Sequence, residues 1–289
     1  MVKCIWGEVL MEQEKSGNTI GLREHQLIML GILSEFATIC EEHCLTYYLD
    51  AGTLLGAVRH QGFIPWDNDM DVCMLRNDYN KLLEFARKNN GLINDHLLLL
   101  EPTESVHSFC KVCDLRTKLI EYPDSFPIDT YVYIDVFPKD GIAKRGISAR
   151  AVCCTSAALQ LVHWFNKFSI PYWKTGKKGI AKKAIAYFLA PIIQGKNLAI
   201  RVQDWVIKQY GDRHPIEECQ FVTTLVIGEY DLITPLDAFK STILVPFEGE
   251  YFTAPAGFDD WLIIKYGKDY MNLPPLEKRA IHNVNVSWR

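Results

Sequence analysis

The fold of this chain is decided by residues 47–79, which read YYLDAGTLLGAVRHQGFIPWDNDMDVCMLRNDY. The pattern predicts a strand, a glycine turn at Gly52 and Thr53, a short helix, a second turn and a second strand. Asp69 and Asp71 stand two apart in the second predicted strand, so their side chains should point to one face. By strand rise, the two carboxylates would lie about 6–7 Å apart.

A pair of carboxylates this close indicates a metal site. The two charges repel unless a cation lies between them or one of them takes a proton. Oxygen ligands on a rigid strand suit Mg²⁺, with Mn²⁺ as the substitute, and Mg²⁺ commonly shares its coordination with a substrate phosphate. Two solvated carboxylates are the alternative. A calcium-binding loop is excluded, because Val72 occupies the required glycine position and Asp78 replaces the final glutamate.

The segment between the two predicted strands adds the features of an anion-binding site. Gly52 permits close approach of the backbone, and the helix that follows would offer its N–H groups to an anion. Thr53 can donate from its hydroxyl, and Arg59 supplies a fixed positive charge about two helical turns later. An anion site beside a metal site predicts a donor that carries phosphate groups.

Residues 130–138 form the clearest alternating strand of the sequence. Three apolar side chains make one face, which should be core: Val132, Ile134 and Val136. The opposite face carries Tyr131, Tyr133, Asp135 and Phe137. A carboxylate on the polar side of a neighbouring strand could be a third metal ligand or a general base. The structural alternative is an aspartate that ends a turn before Pro138.

Four stretches carry a specific resemblance: GTLLGAVRHQGFIPWDNDMDV at 52–72, IDVFPKDG at 134–141, FEG at 247–249 and YGKDYMNLPP at 266–275. They resemble the LicD family, phosphocholine transferases with a nucleotidyltransferase-type fold. Asn68 stands where the family pattern has an aspartate, and Lys139 stands where an apolar residue is common. Fukutin-related sugar-phosphate transferases share the same core, so the resemblance leaves the donor open.

The resemblance implies a function that we state as an expectation. It implies Mg²⁺-dependent transfer of phosphocholine from CDP-choline to a hydroxyl of a cell-surface glycan, of the teichoic acid or lipopolysaccharide type, with release of CMP. It also implies a metal or base role for Asp135. The alternatives are a transferase of ribitol or glycerol phosphate from a related CDP donor, a nucleotidyltransferase, and a non-catalytic scaffold.

Two further groups of residues are candidate donor contacts. Lys111 and Arg116, in a predicted hairpin at 109–121, could contact the phosphates, although each alone is also explained as a surface charge. A quaternary ammonium must be recognised by aromatic faces. The candidates are Trp66, just before the acidic strand, and Tyr131 and Tyr133, on the face of Asp135, with core packing as the alternative.

The predicted fold is α/β (α+β), a small mixed sheet flanked by helices and similar to nucleotidyltransferases, in one domain spanning 1–289. The core is expected at about 22–146 and 216–289, with a helical insertion or second lobe at 147–215. Helices are predicted at 22–43, 77–89 (opened by Asn77 or Asp78), 148–169, 178–193, 197–210 and 258–266. Strands are predicted at 46–50, 96–100 and 221–227 and within 241–255.

Composition and charge limit the function classes. The chain has 289 residues, a net charge of −4 and nine cysteines. No basic field favours nucleic acid, and an odd number of cysteines without a secretory signal predicts a reduced, cytoplasmic setting. The spacing of Cys110 and Cys113 suits zinc, but no second such pair exists.

One predicted helix raises the question of membrane contact. Residues 178–193 are apolar, begin with a few lysines and are too short to span a bilayer. The segment is either a core helix of the second lobe or a helix lying on the inner face of the membrane. The second interpretation fits the lipid-linked glycan acceptors that the family resemblance implies.

Overall fold

A curled mixed sheet forms the centre of the computed structural model, which describes residues 20–123, 127–168, 197–279 and 284–289. The helices in these ranges are α1 (Leu22–Glu42), α2 (Ala51–His60), α3 (Arg76–Lys88), α4 (Ile147–Phe168), α5 (Leu198–Arg213) and α6 (Phe258–Tyr266). The strands are β1 (Tyr48–Leu49), β2 (Asp71–Leu75), β3 (Leu97–Leu100), β4 (Cys110–Glu121), β5 (Ile128–Ile142), β6 (Phe221–Thr223), β7 (Thr234–Pro235), β8 (Thr242–Phe247), β9 (Glu250–Pro255) and β10 (Val284–Trp288). The predicted α/β class is confirmed.

Eight of the described strands belong to one sheet. Its main order is β1-β2-β5-β4-β10, while β3 pairs with β4, β6 with β5, and β7 with β6. β2 and β5 run parallel, and the other pairs run antiparallel. β8 and β9 form a separate hairpin. The parallel pair matters most for the site, because its register sets Asp71 beside Asp135.

α1 packs on the sheet through an apolar face. Its buried residues include Met29, Ile32, Leu33, Phe36 and Cys40, and the helix contacts β4 and β5. Fully burying a large apolar side chain contributes about 1.5–3 kcal/mol relative to leaving it exposed. The helix predicted for 22–43 is therefore confirmed, with His43 as its C-cap.

β5 alternates as its sequence indicates. Val132, Ile134 and Val136 are fully buried, whereas Tyr133 and Asp135 on the opposite face are half-buried. One face of the strand thus belongs to the main core, and the other presents polar groups to the site.

The predicted hairpin at 109–121 is wrong, because residues 110–121 form the single strand β4, which pairs antiparallel with β5. The register shifts between Asp114 and Leu119. There the Asp114 carboxylate accepts a hydrogen bond from Arg116 N at 2.9 Å, and Thr117 Oγ1 donates to the Asp114 carbonyl at 2.7 Å. These local bonds accompany an irregularity in a continuous strand and do not reverse the chain.

The predicted glycine turn is also wrong, because Gly52 and Thr53 lie in the first turn of α2. Asp50 is the N-cap, and its carboxylate accepts a hydrogen bond from Ala51 N at 2.8 Å. The unusual backbone falls on Ala51, whose φ of 45° lies in the left-handed region. Such a conformation costs about 1–3 kcal/mol and persists only where the surroundings fix it.

Two element boundaries differ from the prediction near the site. β2 begins at Asp71, which leaves Asp69 in the segment that leads into the strand. α3 begins at Arg76 with Leu75 as its N-cap, so neither predicted cap is correct. Asp78 instead accepts a hydrogen bond from Thr46 N at 3.1 Å.

α4 and α5 pack against each other beside a second buried cluster. Its members are Phe109, Ile142, Ala149, Val152, Cys153, Ile207, Leu225, Val226 and Ile233. Both helices fall within the predicted insertion at 147–215, whose status as a separate lobe stays a prediction. The predicted helix at 178–193 lies outside the described residues. Within the described ranges, no helix combines the length and apolar character needed to cross a bilayer.

Candidate active site

Four carboxyl groups gather where β2 begins beside β5. Asp71 is the first residue of β2 and the register partner of Asp135. Asp69 precedes it, and the carboxyl group of Asp67 is hydrogen-bonded to that of Asp69. We call Asp67, Asp69, Asp71 and Asp135 the acidic cluster. The sequence interpretation omitted Asp67, although it continues the two-residue spacing of Asp69 and Asp71.

Burial and crowding raise the pKa values of three members of the acidic cluster, Asp67, Asp71 and Asp135. Burial, then the hydrogen bond and charge of Asp69, raises the pKa of Asp67 to about 8. Burial, then the charges of neighbouring carboxylates, Asp69 first, raises the pKa of Asp71 well above its ordinary value. The pKa of Asp135 is also raised, chiefly by burial. Protons or a cation would relieve this repulsion at neutral pH.

The chemistry of the acidic cluster fits Mg²⁺ held by two protein ligands. Mg²⁺ is usually bound by one or two carboxylates and completed by water and substrate phosphates, which Asp69 and Asp71 would allow. Among the described residues, no three His, Cys, Asp or Glu side chains form a ready-made metal-binding group. Asp135 Oδ1 accepts from Lys111 Nζ at 2.8 Å, so this oxygen is already engaged.

The segment that carries Asp67 and Asp69 is fastened to α1 and to the β8–β9 hairpin. Gln26 of α1 donates Nε2 to the Asp67 carbonyl at 2.8 Å. Glu248, at the hairpin tip, accepts from Phe63 N at 3.0 Å. These contacts come from distant parts of the chain and hold the segment in place.

The FEG match at 247–249 explains the shape of that tip. Phe247 is fully buried, and Glu248 and Gly249 have φ values of 54° and 88°, as a tight hairpin turn requires. The Glu248 carboxylate also accepts from Arg23 Nη2 at 2.6 Å. The turn therefore aims a carboxylate back at the site-bearing segment.

A buried network fixes the start of α2 beside the acidic cluster. Asp50 accepts from Trp261 Nε1 at 2.6 Å and pairs with Lys139 Nζ at 3.0 Å. Lys139 Nζ also lies 4.1 Å from the centroid of the Trp261 ring and donates to Thr224 Oγ1 at 3.2 Å. Lys139, which departs from the family pattern, is thus the buried counter-ion of Asp50.

Gly52 and Thr53 both touch the residues of the acidic cluster. A Cβ at Gly52 would lie 2.9 Å from Asp67 Oδ2, so close approach explains the glycine here. Thr53 Oγ1 accepts a hydrogen bond from Asp71 N at 2.8 Å. Thr53, predicted to contact phosphate, therefore positions the first residue of β2; its contact with a donor stays a prediction.

The three cations predicted to contact phosphate already have partners. Arg59 donates Nη1 to two backbone carbonyls of the C-terminal loop, at 2.9 and 3.2 Å. Lys111 is 2% exposed and pairs with Asp135. Arg116 pairs with Asp114 at 2.7 Å. Lys111 and Arg116 would have to give up an ion pair to bind a phosphate, whereas Arg59 is held by neutral carbonyl groups that do not cancel its charge.

Each of the three rings predicted to meet choline carries a cation of the chain over one face. The pairs, measured to the ring centroid, are Arg279 on Trp66 at 4.3 Å, Arg289 on Tyr131 at 4.5 Å and Lys111 on Tyr133 at 3.3 Å. The Tyr133 hydroxyl also donates to Glu121 Oε1 at 2.5 Å. The rings favour cations, but their contact with a donor stays a prediction.

The sequence interpretation did not identify Lys265 and Tyr266, the last two residues of α6, as candidate site residues. Burial, then the charges of the nearby aspartates, with Asp71 first, raises the pKa of Tyr266. Lys265 precedes it and lies 5.3 Å from the centroid of the Trp261 ring. A signal was present, because Tyr266 opens the YGKDYMNLPP match.

Comparisons with known proteins cover the same elements. Residues 44–144 match the family model described as LicD/FKTN/FKRP, nucleotidyltransferase domain. The chain is 30% identical over 281 residues to the lipopolysaccharide cholinephosphotransferase LicD of Haemophilus influenzae, covering 92% of this chain and 97% of that protein. An uncharacterised protein of Rickettsia prowazekii is 36% identical over 67 residues, 23% of this chain and 24% of that protein.

These similarities place the chain among the phosphotransferase enzymes. More narrowly, the chain belongs to the LicD family, as its sequence resemblance indicated. The matched range 44–144 includes the whole acidic cluster, so the family core and the candidate active site coincide.

Proposed function

We propose that this protein transfers phosphocholine from CDP-choline to a hydroxyl group of a lipopolysaccharide-type glycan and releases CMP. The observation that carries the proposal is the similarity to the Haemophilus cholinephosphotransferase over nearly the full length of both chains. The acidic cluster supports it, because crowded carboxylates of raised pKa suit a metal-bound diphosphate.

In this proposal the acceptor oxygen attacks the phosphorus that bears choline. The bond from that phosphorus to the bridging oxygen breaks, and CMP leaves with the electron pair. Asp69 and Asp71 would hold Mg²⁺, which when bound neutralises charge on the diphosphate and on the departing CMP. The protein mainly aligns the two reactants, and such proximity and orientation can supply a large part of the rate enhancement.

Asp135 is the proposed base for the acceptor hydroxyl. Its Oδ1 is fixed by Lys111 at 2.8 Å, which orients the carboxylate on the polar face of β5. Burial raises its pKa above the ordinary value of an aspartate, which makes the carboxylate a stronger base. The other predicted role for the Asp135 carboxylate is that of a third metal ligand. Measuring the Mg²⁺ affinity of Asp135→Asn distinguishes the two roles, because loss of a ligand weakens metal binding and loss of a base does not.

A donor screen tests the proposal. The purified protein is heated with Mg²⁺ and CDP-choline, CDP-ethanolamine, CDP-ribitol or CDP-glycerol, and the unfolding temperature is measured. A ligand at 100 times its Kd stabilises by about 2.7 kcal/mol, so a true donor gives a clear shift. We expect the largest shift with CDP-choline. A larger shift with CDP-ribitol or CDP-glycerol would favour transfer of a polyol phosphate instead.

The head group can be tested at one ring. Tyr133→Leu keeps bulk but removes the aromatic face, so it should raise KM for CDP-choline more than for CDP-ethanolamine, whose ammonium can hydrogen-bond. Equal losses for both donors would show that Tyr133 is structural. Tyr266 is the next ring to test, because it is 42% exposed and lies near the acidic cluster.

We also propose a cytoplasmic location with peripheral contact to the inner face of the membrane. The support is the lipid-linked nature of the acceptors implied by the family. Recovery of the protein with anionic liposomes in a flotation assay would support the contact, and a protein that never floats would contradict it.

A further inference from the structure

The donor's diphosphate needs a cation that is not already paired within the protein. Of the cations named from the sequence, Lys111 and Arg116 are paired with carboxylates of the chain, and Arg59 is tied by Nη1 to carbonyls of the C-terminal loop. A metal held by two carboxylates leaves charge on the diphosphate, so another positive group near the acidic cluster is expected.

Lys265 is placed to be that group. It lies in the last turn of α6, one turn after Trp261, and its Nζ is 5.3 Å from the centroid of the Trp261 ring. Trp261 Nε1 donates to Asp50, and Asp50 N donates to the carbonyl of Asp71 at 3.0 Å. The Trp261 ring therefore links the Lys265 ammonium to the residues where α2 and β2 begin.

The electrostatics agree with this position. Burial and the charges of neighbouring carboxylates raise the pKa of Asp71, and the positive charge of Lys265 opposes that rise. Burial would raise the pKa of Asp50, but Lys139 and then Lys265 hold it below its ordinary value. None of the ion pairs among the described residues includes Lys265. Its ammonium therefore interacts with Asp71 electrostatically without forming an ion pair.

The contrast with Lys139 sharpens the assignment. Both ammonium groups lie near the Trp261 ring, but Lys139 is 2% exposed and paired with Asp50. Lys265 is half-buried and can be reached by a ligand. Lys139 therefore has a structural role as the partner of Asp50, whereas Lys265 remains available to an anion.

We propose that Lys265 binds a non-bridging oxygen of the donor's diphosphate, a contact that rests on the proposed function. The ammonium would donate a charge-assisted hydrogen bond to the phosphate oxygen beside the metal-binding carboxylates. Because the contact is with the diphosphate, it should serve any CDP-linked donor, whatever its head group.

The test compares three variants by their affinity for CDP and for cytidine in the presence of Mg²⁺. Lys265→Met removes the charge, Lys265→Arg keeps it, and Lys268→Met removes an exposed charge three residues further on. We expect Lys265→Met to weaken CDP about 10- to 100-fold and to leave cytidine unchanged, in line with a lost hydrogen bond between charged groups. Lys265→Arg should recover most of the affinity, and Lys268→Met should match the wild type.

The outcomes separate this contact from the proposed function. Equal weakening of CDP and cytidine by Lys265→Met, or CDP affinity that stays at the wild-type value, would overturn the assignment of Lys265 and leave the function standing. A wild type that binds CDP but is not stabilised by CDP-choline in the donor screen would contradict phosphocholine transfer, while the CDP affinities of the variants would still decide the role of Lys265. A wild type that binds neither would overturn both.

Discussion

The buried pair of Asp50 and Lys139 offers the sharpest test of how the active site is held in place. Lys139→Met keeps most of the side-chain length but leaves the Asp50 carboxylate without its cation. Asp50 and Lys139 are each 2% exposed, so neither can exchange its partner for water. Removing one member of such a pair costs about 3–5 kcal/mol, because the remaining charge is buried and uncompensated.

The pH dependence of this loss has a definite sign. Burial alone would raise the pKa of Asp50, but Lys139, Lys265 and the Ala51 N–H hold it below its ordinary value. In the wild type the carboxylate therefore contributes stability above the pKa of the unfolded chain, about 3.9, and this is lost as pH falls. In Lys139→Met the pKa of Asp50 should rise above that value, so the deficit should shrink as pH falls from 8 to 5.

Denaturant unfolding at pH 8 and pH 5 measures the free energy of unfolding for the wild type, Lys139→Met and the double variant Asp50→Asn with Lys139→Met. The double variant should recover part of the stability, because no buried charge is left alone. A loss below 1 kcal/mol in Lys139→Met that is equal at both pH values would refute the reasoning.

Two further predictions concern the acidic cluster and the packing beneath it. Asp71→Asn should abolish Mg²⁺-dependent CMP release, yet the metal-free protein should unfold at the same or a higher temperature, because a crowded charge is removed; near wild-type release would contradict the metal role. Gly56→Ala should cost about 1–3 kcal/mol, because its Cβ would lie 2.5 Å from the Gly62 carbonyl oxygen. The matched control Gly31→Ala, which has nothing within 4 Å, should be neutral or stabilising in a denaturant titration.

Local patterns predicted the elements that bury one regular face. The alternation of Val132, Ile134 and Val136 located β5, and the apolar spacing in α1 located that helix, because burial on one face imposes the period directly. The spacing of Asp69 and Asp71 also predicted two neighbouring carboxylates, and the charge of Asp69 does raise the pKa of Asp71, although Asp69 lies before β2. That Asp67 and Asp135 lie beside these two residues depends on tertiary structure, which sets the bond between Asp67 and Asp69 and the parallel register of β2 and β5.

The errors share a physical cause, which is competition from distant partners. Gly52 was assigned to a turn, but the cap supplied by Asp50 and its bonds to Trp261 and Lys139 start the helix earlier. The segment at 109–121 carried no strong turn residue, and long pairing with β5 keeps it straight. Such partners lie far away in the sequence, so no local pattern reveals them.

For the same reason, the sequence could not show that the candidate phosphate-binding cations are bound to other groups of the chain. Lys111 is paired with Asp135 from the neighbouring strand, and Arg59 is bound to carbonyls more than 200 residues away. Charge and spacing identify a cation, but whether it is available to a ligand depends on what the fold places beside it.

Transfer itself is the most direct measurement of the proposed function. CDP-choline labelled in the choline methyl groups is incubated with the protein, Mg²⁺ and a lipopolysaccharide that lacks phosphocholine, and both the label on the glycan and the released CMP are quantified. Phosphocholine transfer predicts equal amounts of labelled glycan and CMP, no product when Mg²⁺ is chelated, and none with Asp71→Asn. CMP release and glycan labelling that are both absent although the protein is folded, or label that appears equally with Asp71→Asn, would contradict it.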